Sequence, residues 1–207
     1  MDIRNFPKVT VILRGYTYEQ VRSVVKVLAE SEIETAVEIT LNSPDVFNTI
    51  EKISQAFGHR MMVGAGTVLN YEGAVKSIEA GAKFLLSPIM MSKETLQYCK
   101  ERKIITVPSA FTPTEIYQSF QDGADIVKIF PAARLGSKFI SDVQAPLGKL
   151  PLMVVGGING DNAAEYFKAG ASYVGIGSGI FNKEDILNQN EPGLKESLSL
   201  FQKKLLS

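Results

Sequence analysis

Histidine and cysteine each occur once in this chain of 207 residues, and that scarcity narrows the chemistry before any motif is read. His59 sits in FGHRM with no second histidine or cysteine at ligand spacing. A metal centre or a histidine-based triad is therefore not expected, and His59 reads as a surface loop residue. Cys99 can form no internal disulfide and suits a reducing cytosol. Twenty-two basic and 22 acidic residues cancel, and no Lys/Arg block stands out. That balance argues against nucleic acid or a membrane surface as a partner. No apolar run approaches the roughly 18 residues of a membrane span, and the opening MDIRNFPKV lacks the basic-then-apolar pattern of a signal peptide. The expectation is a cytoplasmic protein, one globular domain over residues 1–207 with no linker, needing no metal and no cofactor.

What is present is an alternation of short apolar runs with helical stretches. Val9 to Leu13 opens the series. A helix follows it, capped by Thr17 with a glutamate closing the capping box, and Val21, Val24, Val25 and Leu28 share one of its faces. Residues 36–41 form the next strand, and Asn42-Ser43-Pro44 opens a helix reaching Phe57. Residues 61–63 form the third strand, ending in Gly64-Ala65-Gly66-Thr67. A unit of helix-end glycine, alanine and strand then recurs as EAGAKFLLSP (79–88), QDGADIVKIFP (121–131) and KAGASYVGIGS (168–178), with further strands in 100–110 and 151–157. Each repeat glycine is expected to hold the left-handed helix C-cap, where a Cβ would clash. Eight strands, near residues 9, 36, 61, 84, 104, 125, 152 and 173, each followed by a helix, predict an α/β fold of the TIM (β/α)8 barrel type, residues 184–206 supplying the last helix. An open doubly wound sheet explains the alternation but gives no reason for eight units.

In a barrel the site gathers at the C-terminal ends of the strands, which makes Arg14, Glu38, Thr67, Pro88, Lys128, Gly156, Gly157, Gly177 and Ser178 candidates. Lys128 stands out because DIVKIFPAA places an ammonium inside an apolar strand. It either snorkels or pairs with a carboxylate, or it serves as an amine nucleophile that loses its proton easily and forms a Schiff base with a ketone. Glu38, in AVEIT, points away from Val37 and Ile39. It is either a structural partner of Arg14 or Lys128, or the group that moves protons for that amine. The glycine pairs after the last two strands, with Asn159 and Asp161 as possible caps, either form ordinary turns or suit a phosphate whose oxygens meet converging backbone N–H groups. GAGTVL does not make a dinucleotide fingerprint, since Leu69 replaces the third glycine.

Taken in order, ILRG (12–15), VEITLNSP (37–44), VGAGTVLN (63–70), SP (87–88), VKIFPA (127–132), VGGI (155–158) and GIGS (175–178) resemble the class I aldolases that cleave 2-keto-3-deoxy-6-phospho sugar acids. These are the phosphogluconate (KDPG), phosphogalactonate (KDPGal) and hydroxyglutarate (KHG) aldolases. The resemblance implies that Lys128 forms the Schiff base and Glu38 is the general acid/base. It further implies that Thr67 helps hold the pyruvyl carboxylate, that Arg14 contacts substrate, and that Phe130 and Pro88 wall the pocket. Gly156, Gly157 and Ser178 would bind phosphate. The implied partners are a phosphorylated keto acid and pyruvate, with further copies of the chain in a homotrimer. Asn42, where the phosphogluconate branch often has arginine, and Val155, where it often has threonine, bring the motifs closer to the phosphogalactonate branch. Ser109 and Ile89 are further departures from the family pattern. A phosphate-binding barrel isomerase or epimerase, or a non-catalytic sugar-phosphate binder, would share the glycine loops.

Overall fold

The computed structural model describes residues 3–206. Nine parallel strand segments make one sheet: β1 (Val9–Leu13), β2 (Thr35–Thr40), β3 (Met62–Gly66), β4 (Phe84–Leu86), β5 (Ile105–Val107), β6 (Ser109–Ala110), β7 (Val127–Ile129), β8 (Leu152–Val155) and β9 (Tyr173–Ile176). The order runs β5-β4-β3-β2-β1-β9-β8-β7-β6, so its two ends are consecutive in the chain and only Pro108 separates them. The expected fifth strand is therefore two pieces. Proline has no N–H for a ladder, so β5 pairs β4 on one side and β6 pairs β7 on the other. The Pro108 carbonyl still accepts the Lys128 N–H at 2.8 Å, closing the (β/α)8 barrel.

Burial separates two faces of each strand. Ile12, Ala36, Phe84, Leu86, Ile105, Val107, Ile126, Met153 and Val155 fill the barrel interior. Their neighbours in sequence, such as Val11, Val37, Leu85, Val127 and Val154, join the larger core beneath the helices. That is the period-two alternation of strands covered on both sides. Phe6 plugs the N-terminal end of the barrel, edge-on to Phe84 at 5.1 Å and Tyr173 at 5.5 Å between ring centroids.

The helix termini follow local chemistry, with corrections to the sequence reading. In α1 (Tyr18–Ala29) the expected apolar face is buried and Thr17 is the N-cap. The capping box is closed by Gln20, whose side chain accepts the Thr17 N–H at 3.0 Å, not by a glutamate. α2 (Val46–Phe57) starts after Asp45 at φ 44°, later than Asn42. The repeat glycines 81, 123 and 170 stand at φ 100°, 105° and 106°, all left-handed as expected. The alanine after each donates its N–H to a carbonyl five residues back, which explains the Gly-Ala pairing. The same closing bond is made by Ile104 with Lys103 at φ 57°, a turn that no glycine announced. The C-terminal stretch divides into α8 (Lys183–Leu187) and α9 (Glu191–Leu206), because Asn190 bonds back to Asp185 through both its backbone and its side chain. His59 is exposed in a turn, while Cys99 is buried and its thiol is pushed up to about 12, chiefly by burial. Among the described residues no helix is long and apolar enough to cross a membrane.

Candidate active site

Lys128 occupies the middle of β7, between Val127 and Ile129. Those two neighbours pack against the helices, so Lys128 shares the inward face with Ile126. It is 5% exposed, and its Nζ lies 5.3 Å from the ring centroid of Phe130. Burial pulls the amine below the usual lysine range; the negative field of Glu38 opposes this and Arg14 adds to it.

Glu38 comes from β2, in register with Ile12 on one side and Gly64 on the other, and is 2% exposed. Its Oε2 is buried without a hydrogen-bond partner, an arrangement that costs about 1–3 kcal/mol for a neutral group and more for a charged one. Burial pushes this carboxyl above the usual carboxylate range, against the pull of Lys128 and Arg14. For both groups desolvation outweighs mutual attraction, so the lysine is biased toward the free amine and the glutamate toward the acid. Each shift narrows the gap between the two proton affinities, which lowers the cost of passing a proton between them.

The carboxylate has room only because residue 66 is glycine. A Cβ built there would sit 1.5 Å from Glu38 Oε1, so β3 leaves a notch into which the acid fits. Gly66→Ala is expected to displace Glu38 and lower turnover on the order of a hundredfold. Steady-state kinetics beside a circular-dichroism check of folding would measure it, and near-parental kcat would contradict the notch.

Arg14 directly follows β1 and is exposed, yet its Nη1 donates to Thr67 Oγ1 and Asn42 Oδ1, both at 3.1 Å. Three strand ends are thus tied together. Thr67 stands at φ 59°, a left-handed conformation that costs a threonine about 1–3 kcal/mol. This places its hydroxyl under Arg14.

A cavity of about 650 Å³ opens beside the pair. Arg14, Phe130, Gly156, Gly157 and Ser178 line it, whereas Lys128, Glu38, Thr67 and Pro88 do not. Phe130 and Arg14 join the two regions, one against Lys128 and the other bonded to Thr67. Pro88 follows β4 at the same end of the barrel, half-buried. Gly156 and Gly157 have φ of 93° and 80°, and a Cβ on Gly157 would lie 2.5 Å from that of Ala133. Among the backbone hydrogen bonds of turns and loops, none uses the N–H of Gly157, Gly177, Ser178 or Gly179. The caps differ from expectation: Asn162 precedes the helix Ala163–Lys168, while Asn159 accepts the Asp161 N–H in a local turn. Tyr16 and Lys183 also line the cavity, and neither belongs to a motif that the sequence singles out. Glycines inside a strand are the one available signal for Gly66.

Fold and geometry together define a (β/α)8 barrel whose mouth holds a buried lysine and a buried glutamate beside a glycine-walled cavity. The chain belongs to the KDPG and KHG aldolase family, whose family model matches residues 2–195. It is 35% identical over 171 residues to a probable 2-dehydro-3-deoxy-6-phosphogalactonate aldolase of Rhizobium meliloti (strain 1021), covering 82% of this chain and 80% of the relative. It is 31% identical to the 2-dehydro-3-deoxy-6-phosphogalactonate aldolase of Escherichia coli (strain K12), covering 82% of each. Among solved structures, one described as native KDPGal matches with a TM-score of 0.84 at 26% identity, over 96% of this chain and 95% of that one. A KDPG aldolase from Legionella pneumophila, with pyruvate captured as a covalent carbinolamine, matches with a TM-score of 0.84 at 25% identity over 94% of each chain.

Proposed function

We propose that this chain is a class I aldolase that cleaves a 2-dehydro-3-deoxy-6-phosphohexonate to pyruvate and D-glyceraldehyde 3-phosphate, with Lys128 as the nucleophile and Glu38 as the acid and base. The observation that carries the assignment is a lysine and a carboxyl group both buried within the barrel, where burial lowers the proton affinity of the one and raises that of the other.

The free amine of Lys128 adds to the ketone carbon, and Glu38, directly or through a water, supplies the proton with which the carbinolamine loses water. The resulting iminium draws electrons from the bond between the third and fourth carbons. As that bond breaks, the fourth-carbon hydroxyl passes its proton to the Glu38 carboxylate, directly or through a water, and becomes the aldehyde, leaving an enamine on Lys128 and a reprotonated Glu38. Protonation of the enamine by Glu38 and addition of water release pyruvate. Thr67 and Arg14 hold the carboxylate end and Pro88 and Phe130 wall the reacting carbons. The amides around Gly156, Gly157 and Ser178 take the phosphate, so binding at a distance orients the bond to be broken.

Among the possible substrates we favour the galactonate epimer, because Asn42 is engaged by Arg14 and Val155 lines the cavity. The two phosphogalactonate relatives support the same choice. Pyruvate release is expected to be roughly tenfold faster from 2-dehydro-3-deoxy-6-phosphogalactonate than from the gluconate epimer. Equal rates would remove the preference, and no pyruvate from either would remove the aldolase assignment. Cleavage of 4-hydroxy-2-oxoglutarate to pyruvate and glyoxylate fits the same chemistry.

The reading extends to one domain over residues 1–207, acting in the cytoplasm as a homotrimer. Exposed Leu69, Ile89, Phe111 and Tyr117, on the loops after β3, β4 and β6 and on the helix Pro113–Gln121, offer an apolar face for another copy. A designed cage built by fusing symmetric oligomeric domains contains a match of TM-score 0.85 at 26% identity, over 98% of this chain and 74% of that one.

A further inference from the structure

Lys183 begins α8, five residues beyond Ser178, and lines the same cavity as the glycine loops. Among the described residues Arg14 is the other charged one in that lining, and no carboxylate contributes to it. In a chain with no net charge, this makes the cavity a local concentration of positive charge. The two cations are not equivalent. Arg14 is anchored toward the Lys128 side by its bonds to Thr67 and Asn42. Lys183 is exposed and joins none of the ion pairs found among the described residues.

The backbone beneath Lys183 is nevertheless fixed. Phe181 and Ile186 are buried on either side, Asn182 Oδ1 accepts the Glu184 N–H at 3.0 Å, and Gln20 Nε2 donates to the Leu187 carbonyl at 3.4 Å. The acids that follow Lys183 do not compete for it within the cavity: Asp185 accepts from Asn190 Nδ2 at 2.6 Å, and neither Glu184 nor Asp185 lines the space. A flexible ammonium on a fixed stem, beside unpaired loop amides, is suited to a compact dianion at the far end of a substrate.

We infer that Lys183 is a specificity-determining residue that closes on the terminal phosphate of the substrate and selects phosphorylated over unphosphorylated keto acids. This rests on the aldolase reading above. Backbone amides alone fix the position of the anion, whereas the lysine adds a charge that a terminal hydroxyl does not reward.

The test compares kcat/KM for the 6-phosphorylated 2-dehydro-3-deoxyhexonate with that for its unphosphorylated counterpart, in the parent, Lys183→Ala and Lys183→Arg. Lys183→Ala is expected to lower the ratio of the two about tenfold, chiefly through KM of the phosphorylated substrate, and Lys183→Arg to restore most of it. Inhibition by inorganic phosphate should weaken in parallel. Since Lys183 is exposed, trapping pyruvate with borohydride serves as the check that the variant barrel is intact. An unchanged ratio, or equal losses on both substrates, overturns the role of Lys183 while leaving the aldolase reading in place. A parent protein that cleaves neither substrate overturns both.

Discussion

Lys128→Met should abolish pyruvate formation, lowering kcat by on the order of 10⁴-fold or more, because among the described residues Lys128 is the one buried lysine that could supply the covalent bond. Methionine keeps an unbranched stem of similar length, so the interior position stays filled. Burying the ammonium is unfavourable in the parent, and the remaining Glu38, freed from the cation that lowers its proton affinity, can keep its proton and stay neutral. Folding stability is therefore expected to stay within about 1 kcal/mol of the parent, measured by urea denaturation. Lost activity with retained stability would separate chemistry from architecture. Retained activity would remove Lys128 from the mechanism.

Glu38→Gln should act differently, in three ways that share one cause. Proton transfer at the carbinolamine and enamine loses its carrier, so kcat is expected to fall about 10²- to 10⁴-fold while the Schiff base can still form slowly. Glu38 also holds the proton affinity of Lys128 upward, so its loss should move the pH midpoint of amine reactivity lower. The third effect is on stability. Burial raises the folded-state pKa of Glu38, so its contribution is fully present below the ordinary carboxylate value and is lost as pH rises through the raised folded value. Glutamine has no such titration, and the corresponding decline in stability with rising pH should vanish. For Lys128 the sign is reversed: its folded pKa is lowered, so its contribution is present above the ordinary lysine value and lost as pH falls through the lowered one. Trapping rates and urea midpoints across a pH series would measure these shifts. A midpoint that moves upward would contradict the proposed coupling.

The barrel was legible because its strands are buried on both faces and end at turn residues, so eight apolar runs and three Gly-Ala turns stand out against the helices. What the pattern could not show was a discontinuity inside one run. Pro108 splits the fifth strand because it has no N–H for the ladder, so the assigned pairing with β4 stops at Val107 and that with β7 starts at Ser109. Lys103 makes a glycine-type turn without glycine, and the break between α8 and α9 depends on Asn190 reaching Asp185. Both are contacts that periodicity does not encode.

The candidate site divides along the same line. Lys128 and Glu38 attract notice because ionisable residues interrupt apolar strands. Gly66 does not, since its function as a notch exists only once β2 and β3 are in register. Lys183 looks like any exposed lysine until the loop after β9 brings it to the cavity. Asn42 is marked in sequence as a departure, but its bond to Arg14 requires two strand ends to meet.

The central claim is that one particular amine becomes covalently attached to the keto acid. Incubating the folded protein with pyruvate and sodium borohydride, followed by peptide mass spectrometry, tests it most directly. The expected result is a reduced pyruvyl adduct on the peptide carrying Lys128, absent from Lys128→Met. An unmodified Lys128 in folded protein, or an adduct confined to another lysine, would contradict it.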